Sequence, residues 1–371
     1  MTDKLKVGIV GAPRGRGFIK TFNNLPETTV TALCDVREEV LTRIADEFSI
    51  SNRFTDFGQM LDSGIDVVLV STPMNLHVTM AIEALNRNIH VLSEVTAATD
   101  LDQCCDLVDA VRGSTAKYMM AENYCYIKWN VLIRELIRKG MFGEIYFGEG
   151  EYVHELKAHC EKTPWRKTWQ VGRNGCTYGS HSLGPVLHWF DERVVSVACF
   201  GTGNHYGPDY KLEDTIIMMC KLASGSLVKI RFDLVSDRPH GLAYYSLQGT
   251  RGCYEAPRGM GDDHKIWLAD VCENMNEWRP LSEFESHLPE LWRNPPPEAL
   301  ESGHWGGDYF EVKDFIDAVV NDTDPPIDVY RALDFTVPGL VSEQSIAAGG
   351  TQLPVPDFRN YVTNSKIIPL A

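Results

Sequence analysis

Residues Lys6-Val7-Gly8-Ile9-Val10-Gly11 run directly into Ala12-Pro13-Arg14-Gly15-Arg16-Gly17. The first stretch is apolar and ends in glycine, which is typical of a buried strand. The second stretch is rich in glycine and leads into a segment that we predict to be a helix. In a doubly wound sheet this order binds pyrophosphate, because glycines let the backbone come close and the helix N-terminus presents unpaired N–H groups. These twelve residues therefore predict a dinucleotide-binding domain.

The same alternation of strand and helix continues to about residue 121. We predict further strands at Val30–Cys34, Asp66–Val70, Ile89–Leu92 and Tyr118–Ala121, and helices at Val40–Phe48, His77–Leu85 and Leu101–Val111, the last of them with an N-cap at Thr99. Short apolar strands that alternate with amphipathic helices predict βαβ units, and hence a parallel sheet covered by helices on both faces.

The pattern changes near residue 143. Alternating segments separated by turns follow at Glu144–Tyr152, Val194–Phe200, Thr215–Leu222, Leu227–Phe232 and Ala243–Leu247. This pattern favours a second, mostly antiparallel sheet. We interpret the Pro-rich residues 275–303 as a surface excursion, with helices after it at Trp305–Val319 and Val329–Ala348. The predicted domains are residues 1–122 and 123–371, with the C-terminal helices and tail packing back on the first domain.

Composition narrows the class of protein. The chain has 371 residues, of which 44% are hydrophobic and 23% charged, as in a folded globular protein. Its net charge of −16 argues against nucleic acid and against an anionic membrane as partners. We find no apolar run of about 18 residues and no N-terminal signal-peptide pattern. The ten cysteines contain no C-x-x-C pair, so we expect reduced thiols, no metal site and a cytoplasmic location.

The acidic residue after the second strand bears on the cofactor. Asp35 lies where a carboxylate accepts the adenosine ribose hydroxyls, and it would repel a 2′-phosphate, so NAD is favoured over NADP. Arg37, two positions after Asp35, keeps NADP as an alternative cofactor. Pro13 stands where the G-x-G-x-x-G pattern has its second glycine. A glycine turn with a helix-capping Asp is the alternative interpretation.

Several further stretches resemble the Gfo/Idh/MocA oxidoreductase family. They are Ser71-Thr72-Pro73-Met74-Asn75-Leu76-His77, Ile89-His90-Val91-Leu92-Ser93-Glu94 and Gly140-Met141-Phe142-Gly143-Glu144-Ile145. The resemblance implies a Rossmann domain and a C-terminal α/β domain with a large open antiparallel sheet, with a nicotinamide cofactor between them. It also implies sugar or polyol substrates, and a homo-oligomer (dimer or tetramer) formed through the sheet. The family usually has Glu-Lys-Pro where this chain has Glu94-Val95-Thr96, so the Lys that handles the substrate hydroxyl proton is missing.

A narrower resemblance is consistent with the missing Lys. The stretches Met120–Tyr126, Gly148–His154, Arg173–Pro185 and Gly303–Asp308, together with Glu94-Val95, are similar to the NAD-dependent α-N-acetylgalactosaminidase branch, glycoside hydrolase family 109. The branch implies a cycle that oxidises a sugar hydroxyl, eliminates the C1 substituent, adds water and returns the hydride. Such a cycle cleaves glycosides without the usual pair of carboxylates.

We assign the catalytic roles on this basis. His181 is our candidate for the base that accepts the hydroxyl proton, since imidazole titrates near neutral pH. Tyr152 is the candidate for removing the C2 proton, and Tyr178 for orienting His181 or the sugar. A tyrosine base needs its pKa lowered from about 10 by a cation, for which Arg166 and Arg173 are candidates. Each of these side chains has a structural role as the alternative.

The binding candidates form two groups. Candidate cofactor residues are Gly11, Pro13, Arg14, Gly15, Arg16, Asp35, Arg37, Thr72, Pro73, Asn75, His77, Glu94 and Asn123. Candidate substrate residues are His154, Trp165, Arg166, Arg173, His304 and Trp305. The tryptophans suit stacking on a sugar ring, although core packing explains them almost as well.

Three functions remain open at this point. The first is an NAD-dependent enzyme of carbohydrate metabolism that oxidises a sugar or glycoside hydroxyl, at C3, within a cycle that gives net hydrolysis. The second is a net NAD(P)-dependent dehydrogenase or reductase of a sugar or glycoside. The third is a non-catalytic NAD-binding protein, since a fold alone does not establish activity.

Overall fold

The computed structural model describes residues 4–207 and 209–363, which form two compact units. The first unit comprises residues 4–126, 296–333 and 358–363. The second comprises residues 127–295 and 334–357, apart from residue 208. The chain therefore returns to the first unit twice after leaving it. No helix in the described ranges is long and apolar enough to cross a membrane.

The first unit is built on a six-stranded sheet whose paired strands all run parallel. Its elements are β1 (Leu5–Val10), α1 (Ala12–Asn24), β2 (Thr28–Cys34), α2 (Glu38–Glu47), β3 (Asn52–Phe54), α3 (Phe57–Leu61), β4 (Val67–Val70), α4 (His77–Leu85), β5 (His90–Glu94), α5 (Leu101–Arg112) and β6 (Tyr118–Ala121). The strand order β3-β2-β1-β4-β5-β6 is that of a Rossmann fold, and ligands bind such sheets at the carboxyl ends of β1 and β4, where the order reverses. The predicted doubly wound domain is confirmed.

Apolar runs made these strands predictable. All four residues of β4 are fully buried, because both faces of a parallel sheet are covered. Two local features were missed or wrong. The short elements β3 and α3 were not predicted, and the N-cap of α5 is Asp100, not Thr99. The Asp100 carboxylate accepts the Gln103 N–H at 2.8 Å, whereas the Thr99 hydroxyl donates to the Gln103 side chain.

The second unit is built on a nine-stranded sheet. Its elements are α6 (Lys128–Arg138), β7 (Ile145–Val153), α7 (Lys157–Lys162), α8 (Trp165–Trp169), α9 (Ser180–Phe190), β8 (Val194–Gly201), β9 (Ile216–Leu222), β10 (Leu227–Asp233), β11 (Gly241–Gly249), β12 (Gly252–Glu255), β13 (Lys265–Leu268), β14 (Arg279–Pro280) and α10 (Glu290–Arg293). The strand order is β14-β13-β12-β11-β7-β10-β9-β8-β15, where β15 is Leu353–Pro354. Neighbouring strands are antiparallel except β7 and β10, which confirms the mostly antiparallel sheet. Helix α9 packs against β7, β10 and β11.

The remaining helices follow the Pro-rich segment. They are α11 (Pro297–Glu301), α12 (Gly307–Val320) and α13 (Val329–Ala347). The segment is only in part a surface excursion, because Leu281 and Ala299 are buried. Trp305 was wrongly predicted to lie within the helix that follows this segment. It precedes α12 with a φ of +55°, and 64% of it is exposed.

Candidate functional site

The glycine turn after β1 is shaped to admit a ligand close to the backbone. Gly11 has a φ of +89°, and a Cβ atom there would lie 2.4 Å from the Ser71 carbonyl oxygen. A Cβ on Gly15 would lie 2.3 Å from Ile9 Cγ2. Pro13 sits in the first turn of α1, where its missing N–H leaves no helical hydrogen bond unmade. Only glycine fits the two tight positions, and the turn suits a pyrophosphate at the N-terminus of α1.

Asp35 follows β2 and is 5% exposed. Its carboxylate accepts the Ala12 N–H at 3.1 Å, which ties the end of β2 to the glycine turn. It also accepts the backbone and guanidinium N–H groups of Arg37, each at 3.0 Å. The Arg37 side chain is 59% exposed, so this ion pair contributes little to stability. Asp35 therefore fits the ribose of a dinucleotide.

The loops after β4 and β5 are joined by His77. Its Nε2 atom lies 2.9 Å from the Thr72 carbonyl oxygen, and its Nδ1 atom 3.1 Å from that of Thr96. Burial lowers the pKa of His77, although both carbonyl oxygens act in the opposite direction. The Val95–Thr96 peptide bond is cis. Thr72, Pro73 and Asn75 are half-buried in the first of these loops.

Arg14 connects the glycine turn to β5 and α12. Its Nε atom donates to Glu94 Oε1 at 2.5 Å, and its Nη1 atom to Asp308 Oδ2 at 3.3 Å. Burial acts to lower the pKa of Arg14, but the nearby carboxylates of Glu94, Asp308 and Glu311 outweigh it and raise the pKa. The guanidinium therefore stays charged between the two carboxylates that it contacts.

Asp308 joins further predicted residues to this network. Its Oδ1 atom accepts the Asn123 amide N–H at 3.0 Å and lies 2.8 Å from His304 Nδ1. Burial alone would raise the pKa of Asp308, but the hydrogen bond from His304 and the charge of Arg14 lower it to about 2. The network therefore brings together Arg14, Glu94 and Asn123, predicted to bind cofactor, and His304, predicted to bind substrate.

Glu311 lies one turn further along α12 and was missed by the sequence analysis. It is fully buried, and neither of its carboxyl oxygens has a hydrogen-bond partner within the described residues. Burial and the charges of Asp308 and Glu94 raise its pKa well above the ordinary range. These effects favour the neutral carboxyl. Acidic residues three positions apart share a helix face, and that spacing was the available signal.

The remaining predicted residues of the first unit lie at its surface. Arg16 is exposed and pairs with Glu47 of α2 at 2.5 Å. The ring of Trp305 lies edge-on to that of Tyr124, with centroids 6.3 Å apart. The structure therefore does not bring Arg16 into the Arg14 network.

The predicted catalytic residues of the second unit lie together. Tyr152 near the end of β7 has its ring centroid 5.1 Å from that of His181 in the first turn of α9. The Tyr178 ring lies 6.3 Å from Tyr152 and 5.4 Å from His181. The Tyr152 hydroxyl lies 3.0 Å from His154 Nδ1. Two tyrosines and two histidines thus form one cluster, whose members come from β7, the residue after it, the loop before α9 and the start of α9.

The two candidate arginines differ in their surroundings. Arg166 on α8 lies over the Trp165 ring, 4.5 Å from its centroid, and its charge acts on His154. Arg173 pairs instead with Glu343 of α13 at 2.5 Å, which offsets its charge. Arg166 is therefore the better placed cation for the tyrosine–histidine cluster.

Two further histidines, His159 and His240, lie against His154 of the tyrosine–histidine cluster. They were not predicted to be binding or catalytic residues. His154 has its ring centroid 4.5 Å from that of His240 and 5.7 Å from that of His159. Burial and then the charges of His240, His159 and Arg166 lower the pKa of His154 to about 4. Across the described ranges, no group of three or more His, Cys, Asp or Glu side chains is arranged to hold a metal ion.

Two family descriptions together match nearly the whole chain. Residues 5–122 match the family described as "Oxidoreductase family, NAD-binding Rossmann fold". Residues 126–363 match "Glycosyl hydrolase 109, C-terminal domain". The chain belongs to the glycosyl hydrolase 109 family. The resemblance inferred from the sequence motifs is confirmed.

Relatives of this glycosyl hydrolase 109 chain extend over nearly its full length. A glycosyl hydrolase family 109 protein of Parabacteroides distasonis is 27% identical over 96% of this chain and 87% of the relative. An alpha-N-acetylgalactosaminidase of Tannerella forsythia is 28% identical over 95% of this chain and 86% of the relative.

Solved structures share the fold. Levoglucosan dehydrogenase, in complex with NADH and levoglucosan, has a TM-score of 0.81 at 18% identity and covers 95% of this chain and 100% of its own. Myo-inositol 2-dehydrogenase from Lactobacillus plantarum has a TM-score of 0.75 at 15% identity and covers 95% and 100%. The glycosyl hydrolase 109 chain thus has an oxidoreductase fold, and NAD is the cofactor of its Rossmann domain.

Proposed function

We propose that this protein oxidises the C3 hydroxyl of a glycoside and hydrolyses the glycoside through oxidation, elimination, hydration and reduction. The observation that carries the proposal is the contact between Tyr152 and His181, whose rings lie 5.1 Å apart. Two side chains able to accept protons are needed in such a cycle, one for O3–H and one for C2–H. The family membership supports the same chemistry.

His181 is proposed to accept the proton of the C3 hydroxyl. When bound, NAD supplies the acceptor for the C3 hydride and returns that hydride at the end of the cycle. The residue that follows Glu94 is Val95, which has no proton to exchange. The base must therefore come from elsewhere in the chain, and His181 meets this need because imidazole exchanges protons near neutral pH.

Tyr152 is proposed to remove the proton from C2. A ketone at C3 acidifies C2–H, and removal of that proton expels the C1 oxygen substituent as the C1–O bond breaks. The aglycone oxygen then takes up a proton, water adds at C1, and Tyr152 returns a proton to C2. Reduction at C3 restores the hydroxyl with the proton held by His181. The sum is a glycoside plus water giving a free sugar plus the aglycone.

His154 is the proposed hydrogen-bond partner of the Tyr152 hydroxyl, because the lowered pKa of its imidazole makes it a weak proton acceptor. The Tyr152 hydroxyl lies 3.0 Å from His154 Nδ1, so this contact holds the phenolic oxygen in place. Arg166 is the proposed cation that favours the phenolate, and Tyr178 orients the His181 ring. The tryptophan Trp165, held under the Arg166 guanidinium, is the proposed stacking surface for the sugar.

The proposed cofactor contacts follow from the first unit. The turn from Gly11 to Gly15 binds the pyrophosphate and Asp35 binds the adenosine ribose. His77 fixes the loop that carries Thr72, Pro73 and Asn75. The Arg14 network, through Glu94 and Asn123, positions the carboxyl end of β5, where a nicotinamide would rest.

One experiment tests the cycle. Purified protein is incubated with p-nitrophenyl α-N-acetylgalactosaminide in deuterium oxide, with and without added NAD, while nitrophenol and NADH are recorded. We expect nitrophenol release without NADH accumulation, and deuterium at C2 of the sugar. Stoichiometric NADH with intact glycoside would show a net dehydrogenase and overturn the proposal.

Two variants of one helix provide the control. His181→Gln is expected to lower turnover by about 10²–10⁴-fold, the usual contribution of a general base, and to leave NAD affinity unchanged. His188 lies on the same helix α9, and its Nε2 atom is 2.9 Å from the Arg134 guanidinium. His188→Gln is expected to keep turnover within about threefold. Equal losses in both variants would remove the assignment of His181.

We also propose that the nine-stranded sheet forms the interface of a homo-oligomer. Phe200 on β8 is 55% exposed and Tyr146 on β7 is 47% exposed, which supports an apolar contact at this sheet. Light scattering after size exclusion measures the mass of the assembly, and a monomer at about 10 μM would contradict this expectation.

A further inference from the structure

Three imidazoles meet in the second unit. We define the histidine cluster as His154, His159 and His240. The His154 ring meets each of the other two edge-on, at an interplanar angle of 67°. The three residues follow β7, lie within α7 and precede β11, respectively. The proposed mechanism uses only His154, so His159 and His240 have no role in it.

The groups that act most strongly on His154 are basic. The four charged groups that act most strongly on His154 are His240, His159, Arg166 and His181, and all of them are bases. The neighbouring acids are engaged elsewhere: Glu155 and Asp237 pair with Lys157, Glu161 pairs with Lys167, and Asp233 accepts the hydroxyls of Thr215 and Ser236. The cluster therefore offers an anion its imidazole N–H donors and the fixed positive charge of Arg166.

The protonation state of His154 also favours an anion at this place. Burial and the surrounding bases keep its pKa near 4, so the imidazole is neutral at neutral pH. An anion placed against the rings opposes that repulsion and raises the pKa of His154. It also accepts hydrogen bonds from imidazole N–H groups and from the guanidinium of Arg166, and such charge-assisted bonds are strong.

We propose that the histidine cluster recognises an anionic substituent of the substrate sugar, namely a carboxylate, phosphate or sulfate group. The inference rests on the proposed function, because the substituent belongs to the sugar whose hydroxyl gives its proton to His181. His159 and His240 are exposed, which leaves their rings accessible to a ligand. They are specificity residues, and His154 links them to Tyr152.

The same contact has a consequence for the second base. The Tyr152 hydroxyl lies 3.0 Å from His154 Nδ1, so this nitrogen can receive the phenolic proton once a bound anion has raised the pKa of the imidazole. An anion that stabilises the imidazolium of His154 makes this transfer easier. An acidic sugar therefore promotes formation of the phenolate that removes its C2 proton.

Matched ligands test the inference by binding alone. Methyl α-glucoside, methyl α-glucuronide, methyl α-glucoside 6-phosphate and inorganic phosphate are titrated calorimetrically into the full-length protein loaded with NAD. We expect the glucuronide or the 6-phosphate to bind at least about tenfold more tightly than the neutral glucoside. One hydrogen bond to a charged partner accounts for a gain of this size. The two anionic sugars distinguish a carboxylate from a phosphate ligand.

Substitutions show which residues cause the preference for anionic sugars. His159→Ala combined with His240→Ala is expected to bring the anionic and neutral sugars within about threefold of each other. The control is His205→Ala, because the His205 side chain is 71% exposed and pairs with Asp214 rather than with a member of the histidine cluster. That variant is expected to keep the full preference.

The outcomes separate this inference from the proposed function. Equal affinity for all three sugars, or a preference that survives the double variant, overturns the inference. Binding of inorganic phosphate without any preference for the anionic sugars overturns it as well. If a neutral glycoside is turned over without an anionic preference, only this inference fails. If the preference is present but no glycoside is cleaved, the proposed function fails and the anion site stands.

Discussion

Replacing Asp308 by Asn is expected to destabilise the first unit by about 2 kcal/mol at pH 7. The interactions of Asp308 lower its pKa from the ordinary value of 3.8 to about 2. Each pKa unit corresponds to about 1.4 kcal/mol, so the carboxylate contributes between about 2 and 3 kcal/mol. The Asn side chain has nearly the same shape and keeps one acceptor for Asn123 or His304. The loss therefore measures the charge paired with Arg14.

The contribution of Asp308 to the stability of the folded state changes with pH in a defined direction. A lowered carboxyl pKa stabilises the folded state at every pH above the unfolded value near 4, and this contribution is lost as the pH falls toward about 2. The difference between wild type and Asp308→Asn should therefore be full at pH 7 and reduced at about pH 3. Urea unfolding followed by hydrogen exchange in peptides from α1 and α12 reports this difference for the first unit.

Asp317 provides a matched control on the same helix. It pairs with Lys313 at 2.7 Å, but its side chain is 45% exposed, so Asp317→Asn should cost less than about 1 kcal/mol. If Asp308→Asn costs no more than Asp317→Asn at pH 7, the described network does not hold Asp308 as a carboxylate. A cost that is as large at pH 3 as at pH 7 would contradict the electrostatic origin.

Three further predictions concern the first unit. Gly11→Ala should weaken NAD binding at least about tenfold by calorimetry, because a left-handed φ costs about 1–2 kcal/mol with a side chain; unchanged affinity would contradict this. Arg37→Ala should leave NAD affinity within about threefold and weaken NADP, because Asp35 then meets the 2′-phosphate alone; tighter NADP binding would refute it. Glu311→Met should raise stability by about 1–3 kcal/mol, as a buried carboxyl without partners is removed. The gain should grow as the pH rises above about 4.3, where the unfolded chain ionises but the folded chain keeps its proton, and a thermal melt at pH 4 and pH 8 checks this.

The sequence predicted those elements whose signal is local. Helix α4 and strand β6 have the predicted bounds because a regular apolar pattern fills each of them. The strand β3 has only three residues, none of them buried, so it has no pattern to detect. Trp305 was misplaced since its spacing fits a helix, whereas its backbone turns to a positive φ just before α12 begins.

The site was predictable where its residues share a motif. Tyr178 and His181 lie three positions apart, and Tyr152 and His154 lie two positions apart, so a motif shared with a family reveals them. The partners Arg14 and Asp308 are 294 positions apart. His240 reaches His154 from a separate loop, and neither contact has a signature in one sequence. Such contacts depend on tertiary packing, which residue spacing does not encode.

The discontinuity of the first unit bears on how the protein is made. Residues 296–333 supply Asp308 and Glu311 to a sheet that is otherwise finished by residue 121. When only the first 126 residues have left the ribosome, the sheet lacks helix α12, which covers Asn123 and pairs with Arg14. The early Rossmann strands therefore stay partly uncovered while residues 127–295 of the second unit are translated. Chaperone contact during that interval, and the failure of an isolated 1–126 fragment to reach the native state, follow from this order of synthesis.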